Sequence, residues 1–390
     1  MELELLNIES IVMSEEQYQK CLSWSLERGL TLDPRIERKK VHGVYGMYAM
    51  ESIPTDTIIA SFPIKEQIPH GKKTDFPKNT PDEVKVMYAA AVELSKGESS
   101  IYYGCVSMFE TLQELKEHSF YFFTEAEFKW IQKLNPLLFR LALEQRNRID
   151  VAKATIKKLN SKLDSNFVIQ AILNYYSRAW HGGVGFLPIL DLFNHSDRKG
   201  NTLIKPAGGT NLAHSTRIAY KKGEQVFVSY SRHDAAVFAL NYDYFDPEGV
   251  HFIDYSLRAL HSIRTGIKQK VFELIRVEYG GQFFDMNGVR HFKIAAKNLH
   301  FLENAPSFKL ITYFKMVIQI EGGLNKQTVN DQLVLESLLA TMNAFISAIK
   351  VDQFDLKDLP EKLHRFYYLS QKEQKMLLSN RDWVIDNFTM

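Results

Sequence analysis

Pro188-Ile189-Leu190-Asp191-Leu192-Phe193-Asn194-His195-Ser196 is an apolar run that turns polar without leaving its hydrophobic surroundings. Asp191, Asn194, His195 and Ser196 put four hydrogen-bonding side chains where an aliphatic core is forming. Buried polar groups need partners, so the run implies a polar network or a bound ligand. A loop with an Asx turn is the alternative, and spacing alone leaves both open. A metal reading of His195 with Asp191 is a poor fit, because no further His or Cys lies nearby in the sequence.

Working outward, a second segment reads Gly223-Glu224-Gln225-Val226-Phe227-Val228-Ser229-Tyr230-Ser231, a glycine turn followed by a β-run that ends on a tyrosine. Tyr242-Asp243-Tyr244-Phe245 follows within fifteen residues. Aromatic faces and hydroxyl oxygens can surround a cation without a carboxylate, although a packed aromatic core is the commoner use of tyrosine. A third segment lies upstream, Val44-Tyr45-Gly46-Met47-Tyr48-Ala49, followed by Ile53 and Phe62-Pro63. Glycine in a strand lets backbone approach a ligand closely, or simply marks a bulge.

Around these segments the chain shows two regimes. From about residue 40 to 245, short β-like runs alternate with helices. Val41–Ala49 and Thr57–Phe62 read as strands, and Asp82–Lys96 as a helix. Thr124–Arg146 reads as one helix or a pair broken near Pro136, opened by the capping box Thr124–Glu127. Asn166–Trp180 reads as a helix, and Thr202–Lys205, Leu212–Tyr220 and Gln225–Tyr230 as strands joined by turns at Gly208-Gly209 and Lys222-Gly223. From about residue 250 the pattern reads as nearly all helical. Leu257, Leu260, Ile263, Ile267, Val271 and Leu274 make one stripe; Leu335, Leu338, Met342, Phe345 and Ile349 make another. Ser370–Glu373 reads as a capping box that opens a terminal helix.

The 390 residues are 45% apolar and 24% charged, as in an ordinary globular protein of two or three domains. The net charge of +2, from 48 basic and 46 acidic residues, gives no concentrated basic face for phosphate backbones. The densest basic stretch, Arg35 to Lys40, reads as a solvated loop. Two cysteines, Cys21 and Cys105, are too few for a disulfide framework or a Cys-based zinc site, which fits a reducing compartment. The acidic N-terminus lacks the order of a signal peptide, and no apolar run long enough to span a bilayer stands out. The expectation is an intracellular protein, cytoplasmic or nuclear.

Taken together, the Asp-x-x-Asn-His-Ser run, the β-run ending in Tyr230 and their spacing resemble the SET-domain methyltransferases. The likeness is to the class typified by the Rubisco large-subunit lysine methyltransferase, over roughly residues 20 to 390. That resemblance implies an α+β chain: a β-rich SET fold with a helical insert, followed by an all-α C-terminal domain. Residues 1–80 and 186–247 would form the SET domain, 81–185 the insert and 248–390 a helical substrate-binding domain. It also implies S-adenosyl-L-methionine as cofactor, no metal, and a protein substrate as partner, with no nucleic acid, no membrane, and a monomeric chain.

The resemblance also implies roles. Gly46, Met47 and Tyr48 would form the turn whose backbone meets the methionine part of the cofactor. Ser177-Arg178-Ala179-Trp180 matches a family segment, so Arg178 would bind the cofactor carboxylate as a bidentate guanidinium partner. Asn194 and His195 would hold the cofactor from a pseudoknot crossing that Asp191 braces. Tyr230 would be the catalytic tyrosine and would also touch the cofactor. Tyr242 and Tyr244 would line the substrate channel. Methyl transfer needs an aligned pair of reactants in a dry channel and an uncharged amine, which an aromatic lining favours by disfavouring ammonium.

The sequence departs from the family at Val44, with Gly43 one position before it, and at Ala235 and Asp243; the insert also lacks a Leu-Pro after its aromatic strand. At the acceptor pocket, Trp180 and Leu190 are both apolar and suit a lysine stem better than a hydrogen-bonded imidazole. A protein-lysine N-methyltransferase is therefore the expectation. A protein-histidine methyltransferase, or an inactive SET-derived binding scaffold, are the alternatives. An α/β hydrolase using His195 and Asp191 would need a Gly-x-Ser-x-Gly elbow that the sequence lacks.

Overall fold

The structure is a computed structural model that describes residues 14–41, 44–68, 76–180, 185–196, 198–205, 209–230, 234–242, 251–258, 261–263, 266–279, 281–286, 289–294, 299–325 and 331–388. The chain divides into two compact units, Met1–Phe122 with Arg146–Arg232, and Phe123–Gln145 with His233–Met390. Tyr244 and Asp243 fall outside the described residues.

In chain order, helix α1 (Glu15–Glu27) is followed by strands β1 (Thr31–Leu32), β2 (Ile36–Val41), β3 (Val44–Ala49) and β4 (Ile58–Pro63). Helices α2 (Asp82–Lys96), α3 (Tyr103–Val106), α4 (Leu112–His118), α5 (Glu125–Leu134), α6 (Pro136–Leu159) and α7 (Ser165–Arg178) come next. Strands β5 (Thr202–Ile204), β6 (Asn211–Ser215) and β7 (Gln225–Val226) precede helix α8 (Ala235–Asn241). The remainder runs β8 (Ile253–Asp254), α9 (Tyr255–Arg258), β9 (His261–Ile263), α10 (Gly266–Tyr279), β10 (Gly281–Met286) and β11 (Val289–Ile294). It ends with β12 (His300–Phe301), α11 (Phe308–Asn325), α12 (Asp331–Ala348) and α13 (His364–Phe388).

The sequence signals explain several of these boundaries. The Thr124 hydroxyl accepts from the Glu127 amide while the Glu127 carboxylate accepts from the Thr124 amide, so α5 opens on the expected capping box. The expected break at Pro136 is real. Asn135 ends α5, its side-chain oxygen accepts from the Leu138 amide, and Pro136 occupies the first turn of α6, where its missing N–H costs nothing.

The first unit is built on two small antiparallel sheets, ordered β1-β4-β6-β5 and β2-β3-β7. Central strand β4 is buried from its second residue on. Its Ile59 and Phe62, with Met47 and Ala49 of β3, join Leu190, Phe193, Val226 and Val228 in one core in which each is fully buried. Burying such side chains contributes about 1.5–3 kcal/mol each before conformational entropy is set against it.

That core anchors a threaded crossing. The Val228 amide donates to the Asn194 carbonyl at 2.9 Å, and the Ser196 amide donates to the Val228 carbonyl at 3.1 Å. On the other side of the same segment, the Asn201 amide donates to the Phe227 carbonyl and the Ser229 amide to the Asn201 carbonyl. Both pairings are parallel, so the chain passes from one edge of residues 227–229 to the other between Ser196 and Asn201. Gly200 sits at the tightest point: a Cβ there would meet the Ser196 carbonyl oxygen and lie 2.8 Å from the Ser229 nitrogen. Asn201, fully buried, ties the crossing with side-chain bonds to the Phe227 carbonyl, the Tyr220 hydroxyl and the Arg217 amide.

Four expectations need correction. The basic stretch is not a loop: most of it is β2, paired residue for residue with β3, and Arg38 lies between the rings of Tyr18 and Tyr45 with its charge on Glu15. The chain beyond 250 is α+β in detail rather than all helical. The first apolar stripe is divided among α9, β9 and α10, with Leu260 outside the described residues, and β10 and β11 pair antiparallel. Ser370 and Glu373 open no helix, since they lie inside α13. From one face of it, one turn apart, they accept the Asn135 side-chain amide at 3.2 and 2.9 Å. Among the described residues, Asp331–Gln353 is long and apolar enough to cross a membrane by length and composition. Its Val334, Leu335, Leu338, Met342 and Phe345 are buried as a packing face.

Replacing Gly200 by Ala must displace backbone, and is expected to lower unfolding free energy by at least about 2 kcal/mol. Gly223→Ala meets no atom within 4 Å and strains only its φ of 88°, for a loss of about 1 kcal/mol. Denaturant unfolding of the two variants measures the difference.

Candidate functional site

The crossing brings most of the sequence-predicted residues into the first unit. Asn194 spends its side-chain amide on the Tyr45 carbonyl at 2.8 Å, which fastens strand β3 to the crossing. Gly46 follows inside strand β3, paired with Lys39, rather than in the expected turn, and a side chain there would have to displace the end of Gln225. A Cβ there would lie 2.8 Å from Gln225 Cδ and 3.2 Å from Asn194 Nδ2. Met47 points into the core, so only its backbone belongs to the site. The Tyr48 hydroxyl donates to Gln225 Oε1 at 3.4 Å. Gln225 Nε2, beside Gly46, is a buried donor with no partner.

His195 and Tyr230 meet at the head of the β-run. The Tyr230 amide donates to His195 Nδ1 at 3.1 Å, so that nitrogen is an acceptor and the ring proton belongs on Nε2. The Tyr230 hydroxyl donates to the Phe193 carbonyl at 2.9 Å. With its one hydrogen committed, the phenol oxygen retains only acceptor capacity. Its ring lies 5.2 Å from that of His195 and edge-on to Trp180 at 6.5 Å.

Arg178 ends α7. Its Nε donates to Asp191 Oδ2 at 3.1 Å and its Nη1 to the Met108 carbonyl at 2.7 Å. The side chains of Arg178 and Asp191 retain 13% and 5% of their exposure. Burial works against the guanidinium's charge, but Asp191 beside it holds the Arg178 pKa above its ordinary value. Burial outweighs that same attraction at Asp191 and raises its pKa. The pair is incomplete: Asp191 Oδ1 is buried and accepts no hydrogen bond.

The turn that delivers Asp191 is strained. Ile189 takes φ 69°, ψ −42°, a region a β-branched side chain rarely enters. Leu190 is fully buried in the core rather than facing a pocket, and its carbonyl takes a hydrogen bond from His214 Nε2 at 3.0 Å. Trp180 is half-buried and its ring lies 5.4 Å from that of His214. Tyr242 belongs to the second unit, where it follows α8, stacks obliquely on Phe238, and has its pKa pushed up to about 12 by burial.

Sequence reasoning missed Gly200, Asn201, His214 and Gln225. Gln225 stood within the quoted β-run, but nothing local marked its amide as facing Gly46. The others carry no signal at all, because their partners are distant in sequence.

No protein-family profile and no curated protein matches the sequence. Among solved structures, the SET domain of LSMT bound to lysine and AdoHcy matches with a TM-score of 0.64 and 15% identity, covering 95% of this chain and 91% of that one. Rubisco LSMT bound to AdoMet matches with a TM-score of 0.64 and 15% identity, covering 96% and 92%. Rubisco LSMT bound to sinefungin and monomethyllysine gives 0.63 and 15%, again covering 96% and 92%. The chain therefore shares the fold of these SET-domain structures over nearly its whole length, and the expected α+β class holds.

Burial pushes the His214 pKa down from 6.5 to about 4, so the imidazole stays neutral in the folded chain. Between those two values the unfolded chain binds a proton that the folded chain refuses. Stability from this group is complete above pH 6.5 and is lost as pH falls toward 4. Over that range the wild type is expected to lose up to about 3 kcal/mol more than His214→Gln, read from unfolding curves at stepped pH.

Proposed function

We propose that the chain is an S-adenosylmethionine-dependent protein N-methyltransferase whose acceptor is a lysine side chain. The observation that carries this reading is the convergence of Gly46, Asn194, His195, Tyr230 and the Arg178–Asp191 pair on one threaded crossing. The fold agrees, since the solved structures it resembles hold AdoMet, AdoHcy, lysine or monomethyllysine.

The residues present fit the methyl donor. An α-amino acid end carries one anionic and one cationic group, and Arg178 with the unmatched Asp191 Oδ1 offers one charge of each sign. A purine nucleoside offers acceptors, and Gln225 Nε2 is a buried donor without one. Gly46 keeps β3 free of a side chain beside Gln225 and Asn194. When bound, the donor supplies an activated methyl group on a positively charged sulfur.

The chain's own residues would position and shield. Tyr230, fixed through Phe193 and His195, would offer its phenol oxygen as an acceptor, a neutral dipole suited to positive charge without forming an ion pair. Trp180 beside it gives an apolar face that favours the uncharged amine and accommodates an aliphatic stem. Because Leu190 is part of the core, the preference for lysine over histidine rests on Trp180 alone.

Tyr230→Phe retains the ring and removes the hydroxyl. Transfer of isotope-labelled methyl to lysine-containing protein is expected to fall at least about 100-fold, with donor affinity within a few-fold of wild type by calorimetry. Undiminished transfer would remove Tyr230 from the chemistry. Labelling confined to histidine in the wild type would overturn the choice of acceptor, and absence of donor binding would favour the scaffold reading.

A further inference from the structure

His214 lies on β6, fully buried, and no role assigned above uses it. It nevertheless touches the supports of three site residues. Its Nε2 is 3.0 Å from the Leu190 carbonyl, which can only accept, so the ring proton sits on Nε2 and is committed there. Its ring packs at 5.4 Å against Trp180 and at 5.3 Å against Phe193.

Each partner leads into the site. The Leu190 carbonyl leaves the strained Ile189 turn, and the next residue is Asp191, which holds Arg178. Phe193 carries the carbonyl that fixes the Tyr230 hydroxyl, and the Trp180 ring stands edge-on to Tyr230. A backbone conformation of this kind costs about 1–3 kcal/mol and persists only where its surroundings hold it. The hydrogen bond from His214 grips the turn at its exit. Because burial keeps the imidazole neutral, with its pKa near 4, that single N–H stays in place at ordinary pH.

We propose that His214 is a positioning residue for methyl transfer: through the Leu190 carbonyl and the rings of Trp180 and Phe193 it sets the Ile189–Asp191 turn and the orientation of Tyr230. This inference rests on the methyltransferase reading of the same site. A histidine that merely fills the core would affect stability and leave the rate constant of bound reactants alone. A misplaced reacting geometry lowers that rate constant even when the fold survives.

The test compares wild type with His214→Gln, His214→Phe and His214→Asn, measuring thermal midpoint, donor affinity by calorimetry, and kcat and KM for labelled methyl transfer. Gln extends its amide nitrogen about as far as His Nε2 and can donate to Leu190. Phe keeps a ring without a donor, and the Asn amide is too short to reach. The expected result is kcat down about tenfold or more in Phe and Asn, KM for the acceptor within about threefold, and kcat restored by Gln to within about threefold of wild type. The Asn variant carries the comparison should Phe fail to fold. Lowered thermal midpoints with unchanged kcat in Phe or Asn would overturn the proposal and leave the methyltransferase reading standing. A wild type without methyl transfer would sink that reading, and the role of His214 with it.

Discussion

Residues 227–229 are hydrogen-bonded along both edges by two parts of the chain that are only a few residues apart, Asn194–Ser196 on one side and Asn201 on the other. So short a connection can serve both edges only by crossing the segment it holds. The crossing point therefore has no room for a side chain, and Gly200 occupies it. The rest of the site follows from this constraint. It sets Asn194 against the Tyr45 carbonyl, His195 against the Tyr230 amide, and Phe193 against the Tyr230 hydroxyl. The apolar core formed by Met47, Phe62, Phe193, Val226 and Val228 lies beneath and fixes the register.

The Arg178–Asp191 pair belongs to a different energetic class. Taking two charges out of water costs several kcal/mol, and their attraction offsets that cost only when the remaining donors and acceptors are satisfied. Here one carboxylate oxygen remains without a donor, and the neighbouring Ile189 turn is strained. Gln225 contributes a second unmatched buried group on the β3 side of the crossing. Unmatched polar groups and backbone strain gathered around one crossing are what a site held ready for a polar ligand requires, and they are a poor means of stabilising a fold.

Local signals carried the helices well. Asp82–Lys96 coincides with α2, and the Thr124 cap and the break at Pro136 are where the residues themselves put them. The same kind of signal misled at Ser370–Glu373, because a Ser-x-x-Glu spacing also places two side chains on one face of a continuing helix, where they hold Asn135. Helical spacing likewise concealed β9, whose Ile263 fits a stripe of period 3.6 as readily as a strand. The crossing was legible only through its likeness to a family, since periodicity cannot register a parallel bridge between residues thirty positions apart. Gly200, Asn201, Gln225 and His214 escaped notice for that reason. Each is chosen by a neighbour that only the folded chain supplies.

The central claim is that this crossing is where a methyl donor docks. Amide hydrogen exchange, followed with and without saturating S-adenosylhomocysteine, tests it most directly. The account predicts slowed exchange in residues 45–48, 194–196 and 226–230, with residues 331–388 unchanged. Equal exchange across those three segments in the presence and absence of the nucleotide would contradict it.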